Sequence, residues 1–560
     1  MGLPTLVMAA AIVAQLRAGT PIDSARLVRS ARAAQASFEA FRRNRLPRGE
    51  SHGETCDVRI GRYCYWRGDD EPDDPPPEEV PAVRERRAAL IQTLDSAAAA
   101  LPGDAWIAGQ RVRYLVEMGR TDEAIGAARA CRAEASWCSA LAGYAAHSAG
   151  SFAIADSAYR VALDAMGDAD RCRWLDVSDL LDGELGDRYD KLDCKGREIL
   201  ARRMFWLGSP LFSVSTSDLL TEHFARITRA RIAEHSASAD GEAWADDERA
   251  LTLRYGWPRW YTRTEPNVGS MRSASITGHD SGKPYNFIPS LRAIEHLGQI
   301  GDDDWQLDNA RAITGYAPAF AKSMHDVPSQ IAAFRRGEST LVVAAWDVRK
   351  DTTLVGRDLD VALVLADTGL RVTQRAEKSR AVGRITALGV LDSGVVSLEL
   401  LSPENHRAGR KRVGLPARTG GAMALSDLLL YSGNADEVPD LAAARDSALA
   451  TNVLPMSRNL GVFWETYGLD ANGKPARFTL SIEPVGTSWI RRAAEQMHIT
   501  DPTRAVRIEW QEAPSVVNGI ASRGIKVDLS KLRGGRYRLH LTVTPSTGWP
   551  ATAQREIEVP

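Results

Sequence analysis

The hydrophobic period of this chain changes once, and the change limits it to helices followed by strands. From residue 82 to about 236, long stretches carry apolar residues at helical spacing and are broken by short Gly, Asp or Pro turns. From Gln330 onward, β-branched or alternating runs follow one another about every ten residues. Thr340 to Val348, Asp360 to Ala366, Gly383 to Leu391 and Val395 to Leu401 make a first set. A second set starts at Ala424 and includes Leu460 to Tyr467, Ala476 to Glu483, Ala505 to Trp510, Ile525 to Leu529, Arg536 to Thr544 and Gln554 to Val559. Glu437 to Leu449 reads as a helical or irregular insertion. A chain of 560 residues, 44% of them hydrophobic, can fill several cores. The expected fold class is multi-domain α plus all-β, a helical array followed by two β-sandwich, Ig-like modules over 326–418 and 419–560.

The N-terminal segment, residues 1–19, contains the apolar run Leu3 to Ala14, too short at 1.5 Å per residue to cross about 30 Å of hydrocarbon. No transmembrane span is expected. Its length suits the apolar part of a signal peptide, although no Lys or Arg precedes it and no small-x-small cleavage site lies near Ala18 or Gly19; a buried N-terminal helix is the alternative. Residues 20–66 hold an Ala- and Arg-rich helix, Ile22 to Arg43, with Leu27, Ala31 and Ala34 on one side, then a Cys56 to Cys64 loop with Tyr63, Tyr65 and Trp66. Residues 67–81 form a linker whose stretch Asp69 to Glu79 has seven acids and four prolines in eleven residues, a composition that supports neither helix nor core. Those acids lack the spacing of an EF-hand calcium loop.

Six cysteines fall into three local pairs, Cys56 with Cys64, Cys131 with Cys138 and Cys172 with Cys194. An even number in local pairs favours disulfides. Zinc would need four converging ligands, and the spacings show neither C-x-x-C pairs nor a His cluster; free buried thiols are the other alternative. Disulfides imply an oxidising compartment, so the cysteines and the leader together point to a periplasmic or secreted chain. Seventy Lys and Arg against 72 Asp and Glu leave a net charge of -2, which provides no chain-wide attraction for nucleic acid.

Within the helical region, 82–236, a shift of 31 residues superposes Trp106 on Trp137, Gly119 on Gly150 and Ala124 on Ala155. A turn Gly followed five residues later by a small Ala, with Tyr159 and Ala162 further on, resembles tetratricopeptide repeats, here in two degenerate units. The resemblance implies helical hairpins whose groove is open to a protein partner; a plain helical bundle shares the same packing logic. Further along, Arg197 to Leu211, Glu222 to Arg226, Trp244 to Arg249 and Leu253 to Pro258 resemble bacterial GWxTD-domain proteins. Leu425 to Leu428, Asn452 to Pro455, Val462 to Leu469 and Val527 to Leu539 resemble that family's terminal β domain. Where the family has Thr-Asp-Arg-Gly, this chain has Asp246-Asp247-Glu248-Arg249. The resemblance spans about residues 195–560 and implies an exported multi-domain protein, without supplying an active site.

Residues 237–325 read as a junction. Its binding candidates are Trp244, Asp246, Asp247, Tyr255, Trp257 and Trp260, because Trp and Tyr beside carboxylates form platforms for polar ligands such as an envelope polysaccharide. The competing expectation is an interdomain wedge, with Trp257 and Trp260 buried between the helical half and the first β module. Glu222 and Arg226, four apart on one helix, read as a surface or interdomain salt pair. The His, Asp, Ser and Lys of Gly278 to Lys283 are contiguous, whereas a catalytic triad needs convergent geometry. No catalytic motif, metal set or cofactor fingerprint is found, so the expected role is a non-catalytic interaction scaffold. A carbohydrate- or envelope-binding module is the first alternative and a hydrolase of unrecognised type the second.

Non-reducing peptide mapping should recover Cys56 with Cys64, Cys131 with Cys138 and Cys172 with Cys194, each loop stabilising by about 2–3 kcal/mol. Six free thiols in the exported protein would remove both the pairing and the compartment argument.

Overall fold

The computed structural model describes residues 24–49, 56–67, 77–214, 218–264, 275–280, 282–352, 354, 358–418, 423–433, 440–454, 459–469, 474–485 and 506–560. The leader-like run, most of the acidic linker and Ser281 lie outside the described residues. Helix α1 (Ser24–Arg43) is followed by a small hairpin of β1 (Val58–Ile60) and β2 (Tyr63–Tyr65), closed by the Cys56–Cys64 disulfide. Then come α2 (Pro81–Ala100), α3 (Ala105–Glu117), α4 (Thr121–Ala130), α5 (Ala135–Ser148) and α6 (Phe152–Asp164). The repeat turns are alike in the backbone. Gly119 and Gly150 sit at φ of 72° and 71°, where a Cβ is strained. At each, the next N–H reaches back to a carbonyl five residues earlier, Arg120 to Leu115 and Ser151 to Ala146, so the orphan carbonyls are satisfied. Ala124 and Ala155 are fully buried, and a Cβ on Gly143 would stand 2.8 Å from the Tyr159 ring, so α5 and α6 approach closely.

Helix α1 belongs to this helical core rather than to a separate N-terminal unit: Ala31 and Phe38 pack with Leu94, Val112, Tyr114 and Leu141. Its membership is hidden in the sequence because the buried face is also polar. Gln35 donates to the Tyr114 hydroxyl at 2.9 Å, and Glu39 accepts from that hydroxyl at 2.6 Å and from Arg113 at 2.9 Å.

The chain continues through α7 (Asp168–Trp174), α8 (Gly183–Asp190) and α9 (Cys194–Gly208). The Cys131–Cys138 disulfide joins the end of α4 to the first turn of α5, and Cys172–Cys194 joins α7 to α9, with Cα atoms 5.6 and 5.8 Å apart. Helix α10 (Asp218–Ala233) links two cores: Phe224 and Ala225 enter the first, while Leu219 enters a second built on α8, α9 and the 285–324 loops. The Glu222–Arg226 pair is buried, contrary to the surface expectation, because both sides of α10 are covered. Glu222 accepts from Arg226 at 2.6 Å and lies 2.7 Å from His147 Nε2 on α5. Arg226 then donates to the carbonyls of Leu253 (3.1 Å), Arg254 (2.8 Å) and Gly315 (2.9 Å).

After α11 (Asp246–Tyr255) come the hairpin of β3 (Trp260–Thr264) and β4 (Ser275–His279), then α12 (Leu291–Glu295). Strands β5 (Ser323–Asp326), β6 (Ser329–Arg336), β7 (Ser339–Asp347), β8 (Leu359–Asp367), β9 (Val372–Ser379), β10 (Val382–Gly389), β11 (Gly394–Ser402) and β12 (Arg407–Leu415) make two sheets. Their orders are β10-β7-β6 and β5-β12-β11-β8-β9. Trp346, Leu363, Ile385 and Leu398 fill the layer between them. The outer face of β11 and β12 is charged and buried. Glu399 accepts from the N–H groups of Phe212 and Ser213, both at 2.8 Å. Arg410 donates to Pro210 O (2.8 Å), and Arg412 to Leu207 O and Ser209 O (2.7 Å each). The segment leaving α9 is thereby clamped to the first β module.

The C-terminal part has β13 (Ala424–Leu425), β14 (Leu429–Ser432), α13 (Leu441–Asp446), β15 (Asn459–Tyr467), β16 (Ala476–Pro484), β17 (Val506–Glu512), β18 (Ile520–Asp528), β19 (Gly535–Thr544) and β20 (Ala551–Val559). One sheet joins β13, β15, β14 and β18, and the other runs β17-β16-β19-β20. Leu460, Trp464, Phe478 and Leu539 pack between them. The β modules are not independent, since Phe334 and Val343 share a core with Leu429, Tyr431 and Phe463. Among the described residues no helix is long and apolar enough to cross a membrane.

Asp218 opens α10, is 1% exposed, and accepts from the Tyr316 hydroxyl at 2.9 Å. Burial pushes its carboxyl from 3.8 up to about 7, against the pull of the Tyr316 hydrogen bond. The native state thus keeps a proton that the unfolded chain releases near its ordinary value. Its favourable term is complete below about pH 4 and is lost as pH rises through 7. Asp218→Asn should therefore gain stability over the parent between pH 4 and 7, on the order of 4 kcal/mol at the plateau. Denaturant unfolding across pH checks this, and a pH-independent difference would refute it.

Candidate functional site

Three acids, Asp246, Asp247 and Glu248, occupy the first turn of α11, where the helix N-terminus favours negative charge. The helix ends at Gly256, whose φ of 91° turns the chain toward Trp257. Against this helix lies the N-terminal disulfide hairpin. Arg62, at the hairpin tip, donates to both Asp247 oxygens at 2.8 Å, and its backbone N–H adds a bond of 3.0 Å. It also donates to Glu242 at 3.1 Å. The bonds from Arg62 hold the Asp247 carboxyl well below the usual carboxylate range. Tyr65 stacks on Tyr255 with ring centres 3.8 Å apart, and Arg67 donates to the carbonyls of Asn309 and Ala312.

The six sequence-predicted residues do not form one platform. Asp247 and Tyr255 face the disulfide hairpin, and Asp246 is exposed. Trp257 is 7% exposed and packs on Tyr144 within the helical core, so it does not wedge that half against the β module. Trp260 is half-buried on β3 and stacks on His279, because the two residues are paired across the hairpin. His279 also lies 2.7 Å from the Thr262 hydroxyl. Of the six, Trp244 and Trp257 line one cavity together.

That cavity has a volume of about 30 Å³, space for one or two waters, and is lined by Trp244, Trp257, Tyr261, Arg113, Arg229 and Glu248. Arg113 is matched by Glu39, Glu117 and Gln110. Glu248 lies 3.5 Å from the Tyr63 hydroxyl of the hairpin. Burial, then Asp240, push its carboxyl from 4.5 up to about 7, with Arg229, Arg62 and Tyr63 opposing. Arg229 is 8% exposed, and its Nε has no hydrogen-bond partner among the described residues. Arg229 and Glu248 escaped the sequence reading, since a lone Arg on a helix and a third acid in a charged turn both look solvated. The aromatic residues of the Cys56 to Cys64 loop were the one available signal that this loop packs on something.

Elsewhere, His223 is buried between Phe205 and Phe224, and burial, aided by Arg226, lowers its pKa to about 3. Among the described residues no group of three or more His, Cys, Asp or Glu is placed to hold a metal ion.

No protein-family model matches the sequence, and a search of curated proteins returns no match. Among solved structures, a tetra-tandem repeat from the extending region of a large adhesion protein aligns at 15% identity with a TM-score of 0.14, covering 42% of this chain and 49% of that one. Red sea bream transglutaminase aligns at 12% identity and a TM-score of 0.14, over 57% and 43%. Trypsin-activated alpha-2-macroglobulin from Escherichia coli aligns at 12% identity and a TM-score of 0.17, over 52% and 19%. The chain thus spans less than half the length of each of these proteins, and at such scores none informs its fold or role.

Trp257→Ala should cost about 3–5 kcal/mol as a large core deletion, whereas Trp260→Ala should cost about 1 kcal/mol. Equal losses in urea unfolding would place both rings in one core and restore the wedge.

Proposed function

We propose that this chain is an exported, non-catalytic scaffold that binds a protein partner along its helical hairpins and is held in shape by its β modules. The reading keeps tetratricopeptide-like hairpins, Ig-like modules and the GWxTD resemblance as its frame. What carries it is the outer face of α6. Ile154 and Val161 are 53% and 58% exposed and stand seven residues apart, hence on one side of the helix. At the equivalent positions of the preceding unit, 31 residues earlier, stand Glu123 and Ala130. The second unit therefore replaces a charge and a methyl by two large apolar groups at positions its own core does not use. Two apolar residues at this spacing match the stripe of an amphipathic helix laid alongside. The disulfides support export, because they persist in oxidising compartments. The platform role of the aromatic segment is weakened, since Asp247 and Tyr255 already have intramolecular partners.

The test is affinity capture from the envelope fraction of the producing cell, with the parent and the Ile154→Asp/Val161→Asp double variant side by side. The expected result is a protein retained by the parent and lost at least tenfold by a variant of unchanged melting temperature. Equal retention by both, or retention of polysaccharide alone, would overturn the reading.

A further inference from the structure

The cavity between α10 and α11 is lined by a buried cation whose one ion pair is long and shared and whose Nε has no hydrogen-bond partner among the described residues. Arg229 projects from α10 and is 92% buried, given its 8% exposure. Among the described residues its closest carboxylate is Glu117, at 3.9 Å, and that carboxylate also serves Arg113 at 2.8 Å and Arg42 at 3.3 Å. A guanidinium has five donors and no acceptor, so a protein wall alone cannot satisfy it without oxygens or an anion. Three aromatic residues, Trp244, Trp257 and Tyr261, share the wall with Ser236, Ser238 and Thr252, so apolar surface and hydroxyl groups both border the space beside Arg229.

We propose that this cavity is a binding site for one small monovalent anion, of halide or formate size, held by Arg229 and gated by the protonation of Glu248. The size follows from the volume, about 30 Å³, which admits an anion the size of a water or two and excludes a sugar or a nucleotide. The gate follows from the position of Glu248 on the same cavity wall: its carboxylate would repel the anion, and its carboxylic acid can donate to it. The charged and titratable groups acting on Glu248 are Asp240, Arg229, Arg62 and Tyr63, and Glu242, Arg113 and Tyr261 line the same cavity. Arg62 is committed to Asp247 and Glu242, and Arg113 to Glu39 and Glu117, so Arg229 is the cation left for a ligand. With Glu248 titrating at about 7, anion uptake carries a proton with it in the neutral range. The site does not depend on the scaffold reading.

The experiment uses the full chain and bromide. Crystals grown at pH 6 and soaked in sodium bromide should show one anomalous peak within hydrogen-bond distance of Arg229 in the cavity. Bromide affinity in solution, read from the melting temperature at constant ionic strength, should fall roughly tenfold between pH 6 and 8, as expected for one group titrating near 7. Glu248→Gln should bind bromide equally at both pH values. Arg229→Met should lose the peak, and if it fails to fold, Arg229→Lys should keep it. A cavity holding only water in bromide-soaked crystals, or a pH slope unchanged in Glu248→Gln, would overturn the proposal.

Discussion

Two helix C-termini are capped by arginines that come from elsewhere in the fold, one holding α11 to α10 and the other holding the end of α9 to the first β module. The last carbonyls of a helix have no partner within it and carry the negative end of its dipole. Leu253 and Arg254, in the last turn of α11, are met by Arg226 of α10. Leu207 at the end of α9, with Ser209 and Pro210 beyond it, is met by Arg410 and Arg412 of the first β module. Both caps are buried, so removing one partner of such an arrangement strands a charge at about 3–5 kcal/mol. Glu222 and Glu399 set the orientation of these groups. Glu222 bonds Arg226 directly, and Glu399 lies beside Arg412 while its own oxygens take the N–H groups of Phe212 and Ser213. Each seam is therefore selective in angle as well as in contact, which apolar packing alone would not achieve.

The same chemistry explains what could and could not be read from the sequence. Strand β7 is legible because its buried residues are mostly apolar, and β11 because Val395, Val396, Leu398 and Leu400 outweigh its buried Ser397 and Glu399. Strand β12 is not, because Arg410 and Arg412 occupy two successive positions on its buried face and look like a solvated edge. Strand β9 was missed for the opposite reason, as an almost wholly exposed edge with polar residues on both faces. Helix α1 was legible as a helix but not as core, since Gln35, Glu39 and Arg42 share its buried stripe with Ala31 and Phe38. Local disulfides and the Gly turns of the repeat were accessible because their partners are near in sequence. Arg62 and Asp247 are 185 residues apart, and no local pattern announces such a pair.

That long-range pair also changes the meaning of the aromatic segment. Aromatic and acidic residues close together in sequence suggest a platform for polar ligands. In the fold they divide among three surroundings: the disulfide hairpin, the helical core and the β3–β4 hairpin. The Cys56–Cys64 disulfide makes the first of these a preformed surface, so Arg62 and Tyr65 meet α11 with little of the ordering cost of an open loop. A cluster in sequence was thus a set of separate supports in space.

Arg229 is among the less completely matched buried arginines: like Arg87 and Arg410, it leaves a guanidinium nitrogen without a hydrogen-bond partner among the described residues. Arg113, one helix away and equally buried, has Glu39, Glu117 and Gln110 around it. Arg226, one turn earlier on the same helix, has a carboxylate and three carbonyls. Arg229 has Glu117 at 3.9 Å, through the oxygen that Arg113 already holds at 2.8 Å, and the cavity it lines is also lined by Glu248, whose carboxyl burial raises to about 7. Glu222 shows the opposite balance, its carboxyl drawn down by Arg226 and His147 in spite of its burial. At Glu248, burial and Asp240 outweigh the attraction of Arg229, so its carboxyl is raised rather than lowered. Arg229 and Glu248 thus border one small cavity, the first with an unsatisfied Nε among the described residues and the second with a carboxyl raised by burial and Asp240, so an anion entering there would meet both a donor and a titrating neighbour.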